Sequence, residues 1–502
     1  MSTIPNLLKR IEELSINDPI CFCLNPISED EKLSAHFYDP RTLKLIKNLE
    51  KCNQITTVGS ISQKVCYSDG KWDLRYSDYV HEDYPNRVLL LQISNLKNDG
   101  TLNIETGREK FISREFHEKW KNSQVKSDDI IIAITGTIGR SSLVPNGFQD
   151  ANLNQALAMI VLKKSEAVNG KKINIDKKYV LYYLNSELAQ TQLRRYGGFR
   201  SNQDGLSTTE IKNTLIPLPL EKKQTTIVKL VENHLNNSAN SQSKLQEATR
   251  QFLFLLEDVL EEKLPELKNE VFTFDLNSSS SRLDYGANSL DLEKTMSYLE
   301  KAVNNKKIEL KNGKKLLSDD RNMKKKEVEK NEARFYKYVD FANVDKQLGS
   351  INASEEDILM NLPTRARQVM KKHDILIPGG IDSLNSITIV PPEYDGHLCS
   401  TGFLVIGNNN TFEEALILFG IFKSRILQRQ FWFLQSGCIL ESLAPKTFQE
   451  MVKVPILNDQ LKKKLLKLVK TKLEEAKKLK INHLMELKRA KDVFDTEIRK
   501  LL

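Results

Sequence analysis

The chain has 502 residues, 40% hydrophobic and 28% charged, with a formal net charge of +9 and a pI near 8.9. That balance describes a folded chain and excludes a disordered one, and the length accommodates about three domains on a prior of ~150 residues each. No apolar run reaches the ~18 residues of a membrane span, and Met1-Ser2-Thr3-Ile4-Pro5 lacks a basic start followed by an apolar core, so neither a transmembrane helix nor a signal peptide is expected.

The six cysteines (Cys21, Cys23, Cys52, Cys66, Cys399 and Cys438) are scattered, with no CxxC pair and no histidine at ligand spacing. This argues against zinc sites and disulfide frameworks and fits a cytoplasmic protein. The positive charge leans gently towards a polyanionic partner. Part of the excess lies in the last 45 residues, where fourteen Lys/Arg face seven Asp/Glu.

From about Val88 to Leu162, short β-rich runs are broken by Asp-Gly, Thr-Gly and Pro-Asn-Gly turns, the pattern of an irregular, mostly-β domain. Within it, DIIIAITGTIGR (129–140) is an apolar run ending in a glycine turn and a cation. A phosphate-binding P-loop needs two glycines five apart followed by Lys and Ser/Thr. Here Gly136 and Gly139 are three apart, Arg140-Ser141 follows, and Ser141 to Gly147 reads as a hairpin strand ending in a turn. The reading is a buried strand closed by a structural glycine turn.

Next comes an amphipathic helix over Lys178–Arg195, then a long helix from about Glu221 to Leu264, closed by Pro265. Its apolar residues, including Ile227, Val231, Leu245, Phe252 and Leu255, recur in steps of four and three, a coiled-coil seam with a polar middle from His234 to Ser241. Asn277–Ser281 reads as a linker, and the Lys-rich stretch 301–332 as a loop or an exposed helical hairpin. Glu414–Leu434 is a second amphipathic helix. From about 458 a second long helix carries Leu465, Val469, Leu473, Leu487 and Phe494 on a comparable stripe, with His483 on the same seam.

The chain also repeats itself. Leu91-Gln92-Ile93-Ser94-Asn95-Leu96 is echoed by Val339-Asp340-Phe341-Ala342-Asn343-Val344, and Lys126–Ile132 by Met370–Ile377. Gly197-Gly198 has a counterpart in Ser436-Gly437, and Leu218-Pro219-Leu220 in Val454-Pro455-Ile456. TTIVKLVENHL (225–235) aligns without gaps on KKLLKLVKTKL (463–473). The spacing is close to half the chain each time, and the order is kept, which points to duplication.

Catalytic signatures are missing. The only Pro-Pro pair, Pro391-Pro392, lacks the flanks of an amino-methyltransferase turn, and none of the fifteen prolines precedes the Asp that a PD…(D/E)xK nuclease needs. The seven histidines show no HExxH and no acid–base spacing. Polar and cationic loop residues instead suit duplex DNA, where cations set register on phosphates and polar side chains read base edges. The candidates are Thr135, Thr137 and Arg140 in the glycine turn, Arg200, Asn202 and Gln203 in GGFRSNQDG, and Arg365, Arg367 and Gln368 in LPTRARQ.

With these segments in place the chain resembles the specificity (S) subunit of type I restriction–modification systems. The similar stretches are SAHFYDP (34–40) with a divergent copy SRLDYGA (281–287), DIIIAITGTIGR, NLNQALAMI (152–160) and LIPLPLEKKQTTIVKLV (215–231), then HDILIPGG (373–380) and HLCSTGFLVI (397–406). The second copy departs from the first at Gly379-Gly380-Ile381-Asp382 and at Ser436-Gly437-Cys438, so the copies are expected to read different bases.

The resemblance implies an α+β fold with two similar target-recognition domains, mixed mostly-β with helices, separated by two long helices forming an antiparallel coiled coil. The expected division is 1–220 and 266–457 for the recognition domains, and 221–265 and 458–502 for the helices. It implies a non-catalytic, DNA-binding subunit of a phage-defence restriction system that reads a split target in double-stranded DNA. Two methyltransferase (M) subunits, and restriction (R) subunits with them, would be its partners. S-adenosylmethionine and ATP would be bound by those partners, leaving this chain without cofactor or metal. Two alternatives remain at this point: a recognition subunit of a related modification or phage-defence system that is not type I, and a coiled-coil scaffold whose heads bind protein.

Overall fold

The computed structural model describes residues 40–67, 79–81, 83–104, 109–196, 205–266, 290–318, 321–323, 334–352, 354–380, 386–407, 411–435 and 442–502. They divide into two units, Met1–Ser238 with Leu484–Leu502, and Ala239–His483, both mixing helix and strand. Among the described residues, no helix is long and apolar enough to cross a membrane. Residues 34–39, 277–287 and 436–437, and the candidates Arg200, Asn202 and Gln203, lie outside the described residues.

In chain order the first unit contains α1 (Pro40–Glu50), β1 (Ile55–Thr57), α2 (Val58–Ile61), β2 (Ser62–Tyr67), β3 (Tyr79–Val80), β4 (Val88–Leu91), β5 (Lys110–Ile112) and α3 (Arg114–Lys119). There follow β6 (Ile130–Ala133), β7 (Ser141–Leu143), β8 (Ala151–Leu153), β9 (Leu157–Leu162), β10 (Ser165–Val168) and β11 (Lys171–Asn174). The unit continues through α4 (Lys177–Leu184), α5 (Glu187–Tyr196), α6 (Thr208–Lys212), β12 (Leu215–Pro217) and the start of α7 (Glu221–Arg250). Two four-stranded sheets, β2-β9-β6-β7 and β3-β5-β4-β8, form its body. Strand β6 has an unbroken apolar sequence because both its faces are covered. Ile130 and Ile132 join the cluster that holds Tyr179, Tyr183 and Leu188 of the helices, while Ile131 and Ala133 pack with Leu89 and Leu91 of the other sheet. Asp176 caps α4 by accepting from the Lys178 and Tyr179 N–H groups, and Ser207 and Glu210 form a capping box on α6. Residues 484–502 complete this core: Ala490, Phe494 and Ile498 lie with Ile227 and Val231, and the Phe494 ring is 5.7 Å from that of Tyr179.

The second unit contains α8 (Leu255–Leu260), α9 (Leu290–Asn304), β13 (Ile308–Asn312), β14 (Phe335–Val339), β15 (Glu355–Ile358), β16 (Ala366–Val369), β17 (Ile375–Pro378) and β18 (Thr388–Ile389). After these come β19 (Leu398–Ser400), β20 (Phe403–Ile406), α10 (Phe412–Lys423), α11 (Arg425–Phe433), α12 (Pro445–Met451), β21 (Lys453–Leu457) and α13 (Asp459–Arg499), whose residues from Leu484 on belong to the first unit. Its sheets β18-β17-β20 and β15-β14-β19-β16 repeat the first unit's central pairings, β7-β6-β9 and β5-β4-β8, including one parallel pair, β14–β19, where the first has β4–β8; the edge strands β2, β3 and β16 are not repeated. Strand β17 is likewise covered on both faces, with Ile375 and Ile377 in one cluster and Leu376 in another.

Several expectations change. The helix expected over Lys178–Arg195 is two helices, because the Ser186 hydroxyl turns back to the Tyr183 carbonyl at 2.6 Å and breaks the ladder. The helix expected over Glu414–Leu434 breaks in the same way at Ser424, whose hydroxyl donates to the Ile421 carbonyl at 2.6 Å. The helix expected from Glu221 to Leu264 stops at Arg250, tightens into a 3-10 turn over Gln251–Phe254, and resumes as α8. Part of the Lys-rich stretch is not a loop but strand β13, because Ile308 and Leu310 pack into the core while β13 pairs with β21. Finally, Pro455 lies inside β21, opposite Leu310, as Pro217 lies in β12 opposite Ile55. Pro217 and not Pro219 is therefore its counterpart, and the repeat runs at a constant offset of 238 residues here, the offset that relates 225–235 to 463–473.

Candidate nucleic-acid interface

The TGTIGR turn is held closed by its own backbone. Gly139 N–H donates to the Ala133 carbonyl at 2.8 Å, Ala133 N–H to Arg140 at 2.8 Å, and Arg140 N–H to Thr137 at 3.2 Å. Those three N–H groups are therefore spent within the turn and not turned to a phosphate. Gly139 sits at φ +82°, and a Cβ there would lie 2.7 Å from Gln190 Nε2 and 3.0 Å from Leu193 Cδ1. Gln190 Nε2 also donates to the Gly139 carbonyl at 2.8 Å, so the turn is clamped on α5. Thr135 forms a bridge with Gly205; Thr137 is exposed, and Thr135 and Arg140 are half-buried. In the second unit the matching turn begins at Gly379, whose N–H donates to Gly402 at 3.0 Å and whose carbonyl accepts from Leu443 at 2.7 Å.

Arg365 and Arg367 flank the buried Ala366 at β16, whose outer edge bonds to residues 321–323, and both arginines are exposed. Gln368 is different: its Nε2 donates to the Phe403 carbonyl at 3.1 Å and its side chain is half-buried. The structure thus groups Thr135, Thr137 and Arg140 on one turn, and Arg365, Arg367 and Gln368 on one strand end.

Sequence reasoning missed a second set of cations. In the first unit the Arg87 guanidinium, just before β4, lies 4.7 Å from the Phe111 ring centre, and Lys110 Nζ lies 4.9 Å from that of Tyr79 on the β3-β5-β4-β8 sheet. In the second, Arg334 lies 4.8 Å from Tyr336 and Lys337 5.2 Å from Tyr394. Such stacking holds a flexible cation in place while leaving its N–H groups to a ligand. The available signal was the alternation of cation and aromatic in KFI and RFYKY. His397 Nδ1 accepts from the Lys337 N–H at 2.9 Å. Burial, then the neighbouring Lys337 and Arg334 charges, hold the His397 pKa below its ordinary value.

A buried network sets the α3 segment. Asn152, within NLNQALAMI, donates to Ser123 Oγ at 2.7 Å and to the Trp120 carbonyl at 3.1 Å, and its oxygen meets His117 Nδ1 at 2.5 Å. That fixes α3, from which Arg114 reaches Asp150 at 2.5 Å and holds its carboxyl below the usual range. The seam residues divide as follows. Ile227, Val231 and Phe494 are buried in the first unit, and Leu245, Phe252, Leu255, Leu465 and Val469 in the second. Leu473 and Leu487 are half-buried. His234, in the polar middle, bonds Glu486 at 2.8 Å, and Lys223 pairs with Glu497 at 2.5 Å. Among the described residues there is no group of three or more His, Cys, Asp or Glu placed to hold a metal.

Comparison with known proteins bears on this arrangement. Residues 87–250 match the model of the type I restriction modification DNA specificity domain. The Escherichia coli type I restriction enzyme EcoBI specificity subunit is 28% identical over 151 residues, 30% of this chain; the match spans 29% of that protein's length. The S subunit of a type I restriction–modification system from M. genitalium is similar over 90% of this chain and 96% of its own, at 16% identity and a TM-score of 0.36. The HsdS subunit from Thermoanaerobacter tengcongensis is similar over 89% of this chain and 97% of its own, at 13% identity and a TM-score of 0.32. The domain model and the aligned relative place a type I restriction modification DNA specificity domain at residues 87–250 of this chain.

Proposed function

We propose that this chain is the sequence-specific DNA-recognition subunit of a type I restriction–modification complex. It reads a bipartite duplex target and positions two M subunits, with R subunits joining them. The observation that carries the proposal is the DNA specificity domain at 87–250, together with the recurrence of that unit's framework in the second half. Residues 1–220 and 266–457 act as the two recognition domains. Residues 221–265 and 458–502 act as an antiparallel coiled-coil spacer along the seam Ile227, Val231, Leu245, Phe252, Leu255, Leu465, Val469, Leu473, Leu487 and Phe494.

Base and phosphate contacts are assigned to Thr135, Thr137, Arg140, Arg200, Asn202 and Gln203 in one domain and to Arg365, Arg367 and Gln368 in the other. The stacked cations Arg87, Lys110, Arg334 and Lys337 supply further phosphate contacts. The subunit performs no chemistry itself: S-adenosylmethionine and ATP belong to the partners, and the complex works in the cytoplasm. The deciding experiment is single-molecule methylome sequencing of the host with and without the gene. A split, adenine-methylated motif should vanish with the gene; unchanged methylation in an otherwise intact operon would overturn the assignment.

A further inference from the structure

The two units differ at one corner of their shared framework. In the first, fourteen residues (163–176) join β9 to α4 and fold into the β10–β11 hairpin. The hairpin occupies the corner between the β1–β12 ladder and the first turn of α7. Asn169 Nδ2 donates to the Asn53 carbonyl, and Asn174 Nδ2 donates to Glu221 Oε2 at 2.9 Å. Buried Gln224 secures the base: its Nε2 donates to the Asn174 carbonyl at 2.9 Å, and its Oε1 accepts from the Asp176 N–H at 2.9 Å.

In the second unit only five residues (407–411) join β20 to α10, too few for two paired strands. The matching corner, between the β13–β21 ladder and the first turn of α13, is an open groove. Ladder register and the 238-residue offset equate Asn53 with Ile308, Glu221 with Asp459 and Gln224 with Lys462. All three second-unit residues line the groove. The seat that the first unit fills with its own chain is therefore present and open in the second.

Its charge has changed as well. Where the first unit has Cys52, Thr56 and Gln224, the groove has Lys307, Lys311 and Lys462, and Lys306 lies beside them. Glu309 and Asp459 are the opposing acids, and Asp459 is already paired with Lys462 at 3.2 Å. From this geometry we infer that the groove between β13 and the first turn of α13 docks an acidic, extended segment of a partner polypeptide, in the place that the β10–β11 hairpin takes in the first unit. A corner cut to the size of a hairpin admits a polypeptide, whereas a duplex presents its phosphates on a convex cylinder and would meet only the rim. The inference does not depend on how the chain reads DNA.

The test uses the whole chain and two probes: a fluorescein-labelled peptide alternating Glu with Thr, and a mixed-sequence DNA duplex, both followed by anisotropy. Lys311→Glu combined with Lys462→Glu should weaken peptide binding at least tenfold and leave duplex binding within twofold. In the unaltered chain, saturating peptide should slow acetylation of Lys306, Lys311 and Lys462 about fivefold by mass spectrometry, a readout that stands even if the double variant fails to fold. Peptide binding that is absent or indifferent to the substitutions, with no protection of these lysines, would overturn the inference. Protection by the duplex in place of the peptide would also overturn it and assign the groove to nucleic acid.

Discussion

Gln192 grips both backbone groups of Leu215: its Oε1 accepts from the Leu215 N–H at 2.9 Å and its Nε2 donates to the Leu215 carbonyl at 3.1 Å. The same device recurs 238 residues later, where Gln430 accepts from the Lys453 N–H at 2.8 Å and donates to its carbonyl at 2.9 Å. Both glutamines are buried. Each ties the second helix of a broken pair, α5 or α11, to the strand that leads into a long helix. Gln192→Leu would keep the volume but orphan the Leu215 N–H, while the carbonyl still accepts from the Tyr183 hydroxyl at 2.7 Å; a buried group left unpaired costs about 1–3 kcal/mol. The expected outcome is a loss of roughly 1–3 kcal/mol in urea unfolding, with Gln430→Leu costing at least as much; a loss under about 0.5 kcal/mol would show that water replaces the amide.

Gly139→Ala tests the clamp on the glycine turn. The residue sits at φ +82°, and an added Cβ would meet Gln190 and Leu193 within 3.0 Å. Left-handed strain and the contact together should cost about 2 kcal/mol. Gln190→Ala removes part of the obstruction, so the double variant should recover some of the loss. Thermal unfolding of the two single variants and the double variant measures this coupling.

How much of this was legible in the sequence depends on where each residue's partner lies. The buried strand at 130–133 was readable because double-sided coverage forces an unbroken apolar run. The helix breaks at Ser186 and Ser424 were not, since serine inside a helical pattern is nearly neutral until its hydroxyl finds a carbonyl. Gln192 and Gln430 escaped notice for a related reason: a glutamine in an amphipathic helix reads as solvent-facing, and only the strand beside it shows otherwise. Strand β13 was hidden by its lysines, which obscure the spacing of Ile308 and Leu310. Among the candidate readers, Gln368 could be distinguished from Arg365 and Arg367 only once its amide was seen on the Phe403 carbonyl.

Asp495 gives a pH prediction. It lies on α13 in the first unit and accepts from the Glu187 N–H, the first residue of α5, at 3.4 Å. Burial pushes its pKa from 3.8 up to about 6; the Glu187 N–H and Arg499 pull it down, while the Glu187 and Asp492 carboxylates push it up. A carboxyl whose folded pKa is raised stabilises the fold below the unfolded value and loses that contribution as pH rises through the folded one. The native chain should therefore lose stability between about pH 4 and pH 6 through this group. Asp495→Asn retains an acceptor for Glu187 and lacks the charge. After discounting for partial exposure, its advantage should grow to about 1 kcal/mol above pH 6 and vanish near pH 4. Melting temperatures of both proteins across that range measure it, and an advantage independent of pH would point to a cause other than titration.

The stacked cations give the prediction most closely tied to DNA reading. Arg87 lies on Phe111 and Lys110 on Tyr79, so each charge is held on the sheet by an aromatic face without being neutralised by it. If each meets a phosphate, removing it should release about one counterion fewer on binding, since the slope of log K against log salt is about −0.9 per contact. Lys110→Ala and Arg87→Ala, assayed with the methyltransferase partners present, should each lower affinity for target and non-target duplexes by a similar factor and flatten the salt slope by about 1. Arg140→Ala, in the glycine turn, should instead lower the preference for the target if it reads a base edge. Phe111→Leu provides the control for the stacking itself: it keeps Arg87 but frees its side chain, so affinity should fall by less than in Arg87→Ala while the salt slope stays unchanged. A slope unaltered in both Arg87→Ala and Lys110→Ala would place the stacked cations away from the duplex and leave them as fasteners of the sheet.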